Sequence, residues 1–243
     1  MDEETSGDAT TFAARMAAFN RSLRLTAALP DGIAAMNPFR EAGSVALEFA
    51  DAFYAKYYAD NTPRIPILGI NPGRHGAALS GVPFTDFKRL RDACGIDVKG
   101  HSAHEQSSEF IYEMIAAMGG LKPFYERFYI NSVCPLGFTK RNEAGRWINY
   151  NYYDAPALQA AVTSFIVQTI RAQIALGLST DECFILGKKN LESFAPINDR
   201  HRFFKKLTEL PHPRFIIQYK RREMPAYIAG YCEKLNGALN SVS

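Results

Sequence analysis

Apolar and polar positions along the chain change period in blocks. From residue 10 to 27 the apolar residues fall at helical spacing (Thr10-Thr-Phe-Ala-Ala-Arg-Met-Ala-Ala-Phe19), which predicts an amphipathic helix that Pro30-Asp31-Gly32 breaks. Residues 44–59, rich in alanine and aromatics, predict a second helix. Arg64-Ile-Pro-Ile-Leu-Gly-Ile70 is a short apolar run ending in Asn71-Pro72-Gly73, which reads as a buried strand entering a tight turn. The alternation then recurs. Residues 107–118 predict a helix that Ser107 or Ser108 can cap. Residues 128–133 predict a strand running into Cys-Pro-Leu-Gly, and 154–176 a long helix. A strand at 182–186 leads into Gly187-Lys188-Lys189 and another helix start. Residues 214–218 (Arg-Phe-Ile-Ile-Gln) read as a fourth strand, and about 223–239 as a final helix.

Short strands alternating with helices imply parallel pairing. The expected fold is therefore α/β: a three-layer α/β/α sandwich with a central four-stranded, mainly parallel sheet, plus an N-terminal helical extension. Neither repeats nor low-complexity segments divide the chain. It reads as a loose tail at 1–8 and a single domain at 9–243, with the extension at 9–60. In such folds ligands bind outside the carboxyl ends of the strands. That directs attention to Asn71-Pro72-Gly73, residues 131–136, Gly187-Lys188 and residues 212–222.

Composition narrows the class. Of 243 residues, 47% are apolar and 22% charged, the balance of a soluble globular chain. No apolar run approaches the roughly 18–20 residues of a membrane helix. The first residues, Met-Asp-Glu-Glu-Thr-Ser-Gly-Asp, lack the features of a secretory signal. The four cysteines are far apart and never form C-x-x-C, which argues against a zinc ribbon or a disulfide scaffold. The expected setting is the reducing cytoplasm, with nucleoid association if the source is bacterial. The net charge of +3 hides an asymmetry: residues 1–60 carry 5 basic and 9 acidic side chains, residues 184–243 carry 11 and 5. The basic excess clusters at Lys188-Lys189, from Arg200 to Lys206, and at Lys220-Arg221-Arg222, a distribution that suits phosphates or an ordinary solvated surface.

The turn Gly69-Ile70-Asn71-Pro72-Gly73-Arg74-His75-Gly76 is neither a Walker loop, lacking the Gly-Lys-Ser/Thr end of that pattern, nor a dinucleotide fingerprint, because its glycines do not fall as G-x-G-x-x-G. His101 and His104 form H-x-x-H without a cysteine or carboxylate in helical register, a poor metal site. As bare residues, Asn71 and Asn131 fit turn or cap positions, His212 a loop, and Phe84 the core.

Gly69-Ile-Asn-Pro-Gly73 followed by Gly81-Val-Pro-Phe84 resembles motif one of the uracil-DNA glycosylase superfamily, and within it the single-strand-selective monofunctional uracil-DNA glycosylases. Phe128-Tyr-Ile-Asn131-Ser-Val-Cys-Pro135-Leu136 resembles the strand whose Asn reads the base, and Leu210-Pro-His212-Pro213-Arg214 resembles motif two. All three stand in the family's order and spacing between about residues 64 and 225. His-Pro-Arg without a Ser-Pro-Arg-Asn extension is similar to a bacterial side branch.

The resemblance implies hydrolysis of the N-glycosidic bond of uracil, or of other deaminated or oxidised bases, in DNA. Asn71 would place the water and His212 would stabilise the departing uracil anion. Gly69, Ile70, Pro72, Gly73, Phe84 and Asn131 would hold the base, with Phe84 stacking on it and Asn131 accepting from N3–H and donating to O4. Arg74, Lys140, Lys188, Arg214, Lys220, Arg221 and Arg222 would contact DNA. Without a lysine positioned for a Schiff base, the reaction implied is monofunctional. It needs neither metal nor organic cofactor, and the protein would act as a monomer on single-stranded or mispaired DNA, away from membranes. Two departures stand out. Arg74-His75-Gly76-Ala77 replaces the Pro-Phe-Gly-Met of animal members, adding a titratable His75. Motif two runs into Phe215-Ile-Ile-Gln-Tyr219, which reads as a strand where the family has a wedge. The alternatives are a non-catalytic binder of damaged or single-stranded nucleic acid and a hydrolase of nucleosides or nucleotides.

Overall fold

The computed structural model describes residues 10–240; the expected tail at 1–8 lies outside them. In chain order the elements are α1 (Phe12–Ser22), β1 (Ile33–Met36), α2 (Ala46–Tyr57), β2 (Ile65–Gly69), α3 (Ala77–Ser80), α4 (Phe87–Asp92), α5 (Gln106–Ala117), α6 (Leu121–Tyr125), β3 (Phe128–Ser132), β4 (Gly137–Arg141), β5 (Trp147–Tyr150), α7 (Pro156–Ile174), β6 (Glu182–Leu186), α8 (Lys188–His201), β7 (Lys206–Leu210), α9 (Pro213–Tyr219) and α10 (Met224–Asn240). The central sheet has the order β3-β2-β6-β7 with every pair parallel. β2 and β3 are buried along their whole length, as strands covered on both faces must be. The three-layer α/β/α sandwich expected from the sequence is the fold found.

One strand was misplaced. Residues 213–219 form helix α9, and the fourth strand is β7, just before them. Pro213 starts α9 at a position where a missing N–H costs nothing, and its apolar residues follow helical spacing: Pro213, Ile216 and Ile217 are buried while Phe215 and Tyr219 are exposed. β7 (Lys-Leu-Thr-Glu-Leu) is a polar edge strand, where charge guards against further pairing. A second sheet was not anticipated: β1, β4 and β5 pair antiparallel in the order β1-β4-β5. It abuts the turn after β2, where a Cβ added to Gly137 would lie 2.6 Å from the carbonyl oxygen of Pro72.

The first helix ends at Ser22, short of the expected residue 27, and belongs to the main core. Phe12 and Tyr58 stack on each other at 5.2 Å and together face the guanidinium of Arg64, at 4.8 and 4.6 Å. The start of α5 is held by Asp86 and not by a capping serine. Asp86 Oδ1 accepts from the Arg89 N–H (2.9 Å) to cap α4, while Oδ2 accepts from the Glu105 N–H (2.9 Å) and the Ser108 hydroxyl (3.1 Å). One buried carboxylate thus serves two helix N-termini, each cap worth about 1 kcal/mol. No described helix is long and apolar enough to cross a membrane.

Candidate active site

The carboxyl ends of β2, β3 and β7 open into one cavity of about 320 Å³. Ile70, Asn71, Pro72 and Gly73 line it from the turn after β2, Ser132 from the end of β3, and His212 and Arg214 from the turn after β7. Pro83 and Phe84 close one wall, Asn149 of β5 and Asn151 just after it enter from the side of the second sheet, and Phe215 and Tyr219 of α9 stand at the mouth. This places Asn71 and Phe84 around one volume with His212, which lies more than 100 residues further along the sequence.

Asn71 is held in one orientation. Its Nδ2 donates to the Tyr150 carbonyl (3.3 Å), and its Oδ1 accepts from the Tyr152 N–H (3.1 Å). The amide cannot flip without putting donor against donor, and Oδ1 keeps a second lone pair for a water.

His212 is the N-cap of α9. Its Nδ1 accepts from the Arg214 N–H at 3.1 Å. A neutral ring with an accepting Nδ1 must carry its proton on Nε2. Burial, followed by the positive charge of Arg214, pushes its pKa down to about 4, so the ring is neutral at ordinary pH. The outcome is a fixed N–H donor. Gly187, with φ +97°, makes room for it: a Cβ there would stand 3.3 Å from that of His212.

Phe84 sits at φ +54°, a backbone region that bulky residues avoid, and it is buried. Its ring lies 6.1 Å from that of His212 and packs at the end of β2, where a Cβ on Gly69 would come within 3.0 Å of it. A glycine at the strand end is what lets the ring approach.

Asn131 does not face this cavity. Successive strand residues point to opposite faces. Asn131 turns onto the Tyr129 hydroxyl, and its Oδ1 accepts from the Ser132 N–H at 2.8 Å. It lines a much smaller adjoining space, with Pro72, Ala77 and Pro83 between it and the main cavity. Ser132, its neighbour, is the residue that lines the cavity. Strand parity was the signal that could have found it.

The basic residues separate into two sets. Arg214 lines the cavity. Arg74 is tied to the second sheet, its N–H donating to Asn149 Oδ1 (3.2 Å) and its guanidinium to the Trp147 carbonyl (2.6 Å). Lys140 lies on β4 over the Tyr150 ring. Lys188, at the start of α8, faces Glu192 (3.9 Å) and is not part of the cavity wall. Lys220 pairs with Glu223 (2.9 Å) and Arg221 with Glu109, while Arg222 is exposed. His75 is exposed at the rim of a neighbouring cavity. His104 Nδ1 lies 3.2 Å from Asp86 Oδ2, and His101 packs against Phe49 and Phe87.

A cavity at the carboxyl edge of a parallel sheet, walled by a Gly-Ile-Asn-Pro-Gly turn and a His-Pro helix start, is the arrangement of one fold family. The family model for the uracil DNA glycosylase superfamily matches residues 55–236, and the chain belongs to that superfamily. It is a DNA glycosylase by that membership, a hydrolase with DNA as its substrate. Among solved structures it is similar to SMUG2 of Pedobacter heparinus, at 49% identity and a TM-score of 0.91, over 95% of this chain and 99% of that one. No curated protein sequence matches it.

Proposed function

We propose that the protein is a monofunctional glycosylase that removes uracil from DNA and leaves an abasic site. The observation that carries this reading is the pairing of Asn71 and His212 on one cavity, each with its hydrogen-bonding state fixed by the backbone. Asn71 Oδ1 orients a water at the sugar. As the N-glycosidic bond breaks, its electron pair goes to the base, and His212 Nε2–H meets the carbonyl oxygen on which charge develops. Such a donor lowers the barrier most where charge appears only in the transition state. The water oxygen bonds to the sugar carbon, and the departing base takes up a proton. An amide cannot act as a base toward the water. Leaving-group stabilisation therefore carries most of the catalysis.

Phe84 stacks on the extruded base, an interaction worth about 1–3 kcal/mol, comparable to the few kcal/mol needed to flip a base. Ser132 offers the hydroxyl that reads the base, and Asn131 positions it from behind. Arg214 contacts the phosphate beside the flipped nucleotide. The reading rests on fold membership for the chemistry and on the cavity for the residue roles.

The test is base release from a single-stranded oligonucleotide containing one uracil, in EDTA, followed by alkaline cleavage. Wild type is expected to yield abasic sites, with Asn71→Ala and His212→Ala each slower by roughly 100-fold or more. Absence of product from uracil, with release of a deaminated purine, would change the substrate. Absence of product from every base would refute the glycosylase reading.

A further inference from the structure

Glu105 is a carboxyl with no evident structural task. It lies at the N-terminus of α5 without capping it, since that helix start is held by Asp86. Its side chain lines both the main cavity and a second cavity of about 310 Å³ that shares Gly73, Ser107, Asn149 and Arg214 with it. Its Oε2 is buried and has no hydrogen-bond partner. A buried polar atom left unpaired in a fold is costly, and at the wall of a binding cavity it points to a ligand. Gly76 makes the seat: a Cβ at that position would lie 2.2 Å from Glu105 Oε2.

Every element packed around the carboxyl bears on its charge. Asp86, at the start of α4, repels an ionised Glu105, and Arg214 of α9 attracts it. His75 and His104 line the second cavity beside it, with the neutral Gln106, Ser107 and Asn149. Burial is the largest influence, and the carboxyl is pushed up to about 7. The neutral acid is therefore well populated near neutral pH. An ionised carboxylate beside a departing anion would raise the barrier, whereas a neutral acid lowers it.

Resting on the glycosylase reading above, we propose that Glu105 is a proton-donating residue of the base pocket: its protonated carboxyl hydrogen-bonds a carbonyl oxygen of the target base and gives up its proton as the base departs. The bond from the sugar breaks with its electron pair on the base. The proton on Glu105 neutralises that charge and leaves a carboxylate. The water that adds to the sugar carbon releases one proton, which restores the acid. His212 cannot fill this role, because its Nε2–H belongs to a neutral imidazole that would have to become an anion.

The experiment is single-turnover base release from the uracil oligonucleotide at pH 6 and pH 8 for wild type, Glu105→Ala, Glu105→Gln and Gly76→Ala, with thermal unfolding of each. Wild type is expected to slow about tenfold from pH 6 to pH 8, following the protonated fraction of a group near 7. Glu105→Ala should be roughly 100-fold slower at pH 6 and flat with pH. Glu105→Gln, which keeps a donor that does not titrate, should recover part of that loss and also be flat. Gly76→Ala leaves the carboxyl in place chemically but displaces it, so it should slow the pH 6 rate. If Glu105→Gln keeps the wild-type slope, or Glu105→Ala runs within twofold of wild type, the inference is overturned. Where Glu105→Ala unfolds, the slope of the near-isosteric Glu105→Gln decides alone. Wild type that releases no base at all would overturn the glycosylase reading instead, and this inference with it.

Discussion

At the scale of residues, two of the pocket's polar groups have their protonation or orientation set by main-chain partners. For His212 this leads to a pH prediction. Its pKa is depressed, so the neutral form present in the fold persists as the pH falls from 8 to 5, and it is lost only on approach to about 4. Protonation would also place a second N–H on Nδ1, against the Arg214 N–H that it now accepts. In Glu105→Gln, which lacks the carboxyl's own step near 7, the rate of base release is therefore expected to show no step at the ordinary histidine value of about 6.5. A step there that vanishes in His212→Gln would contradict the fixed-tautomer account. The same pKa bears on stability. A depressed group contributes stability that is present above its unfolded value and lost as pH falls toward its folded one, so the fold should weaken between about pH 6.5 and 4. The pair on β3 gives a second prediction. Ser132→Ala removes a hydroxyl from the cavity and should change the preference among bases. Asn131→Ala removes the bond that the Tyr129 hydroxyl accepts and the acceptor of the Ser132 N–H, and should lower stability by about 1–3 kcal/mol. Comparable shifts in base preference from both substitutions would show that Asn131 touches the base itself.

At the scale of elements, α9 joins the cavity to the exposed surface at its mouth. It begins with His212 in the cavity and exposes Phe215 and Tyr219 at the mouth, their rings 5.8 Å apart. Aromatic rings so placed can fill the gap that an extruded nucleotide leaves in a duplex. Replacing both by alanine is expected to slow release from mispaired duplex DNA by about tenfold or more, and from single strands far less, since single strands leave no gap to fill. Equal losses on both substrates would argue against the wedge. This element was misread because Arg-Phe-Ile-Ile-Gln is a five-residue apolar run, and period cannot separate strand from helix at that length. The deciding cues were Pro213 at the first helical position and apolar residues recurring at 213, 216 and 217. The buried strands β2, β3 and β6 were legible because continuous apolar runs ending in turn residues have few other readings. The polar edge strand β7 lacked that signature, and the second sheet is short and largely exposed on β5. Motif order was enough to find Asn71, Phe84 and His212. It could not find Glu105, which stands on a different element and belongs to no motif.

At the scale of the whole molecule, a buried cation joins the N-terminal helices to the sheet that carries the site. Arg64 is fully buried at the entrance to β2. Its Nε donates to the Tyr125 carbonyl at the end of α6 (2.8 Å), and its other nitrogens reach the Thr62 carbonyl (2.8 Å) and Asp60 (3.0 Å). The stacked rings of Phe12 of α1 and Tyr58 after α2, 5.2 Å apart, pack against it together. The guanidinium thus has three hydrogen bonds and an aromatic pair against it, the arrangement that makes a buried arginine tolerable. Leucine would fill part of the space but satisfy none of the carbonyls, and it would lose the cation–π contact with the ring pair. Unpaired buried acceptors cost about 1–3 kcal/mol each, so Arg64→Leu should destabilise the fold by roughly 3 kcal/mol in urea unfolding. Arg64→Lys should restore little, since an ammonium lacks the planar fork that bonds the Tyr125 and Thr62 carbonyls and Asp60 together. Loss of less than about 0.5 kcal/mol in Arg64→Leu would show that α1 is held by its apolar contacts alone. A large loss with rates of base release unchanged below the new melting point would show that the N-terminal helices secure the sheet without shaping the pocket at its far end.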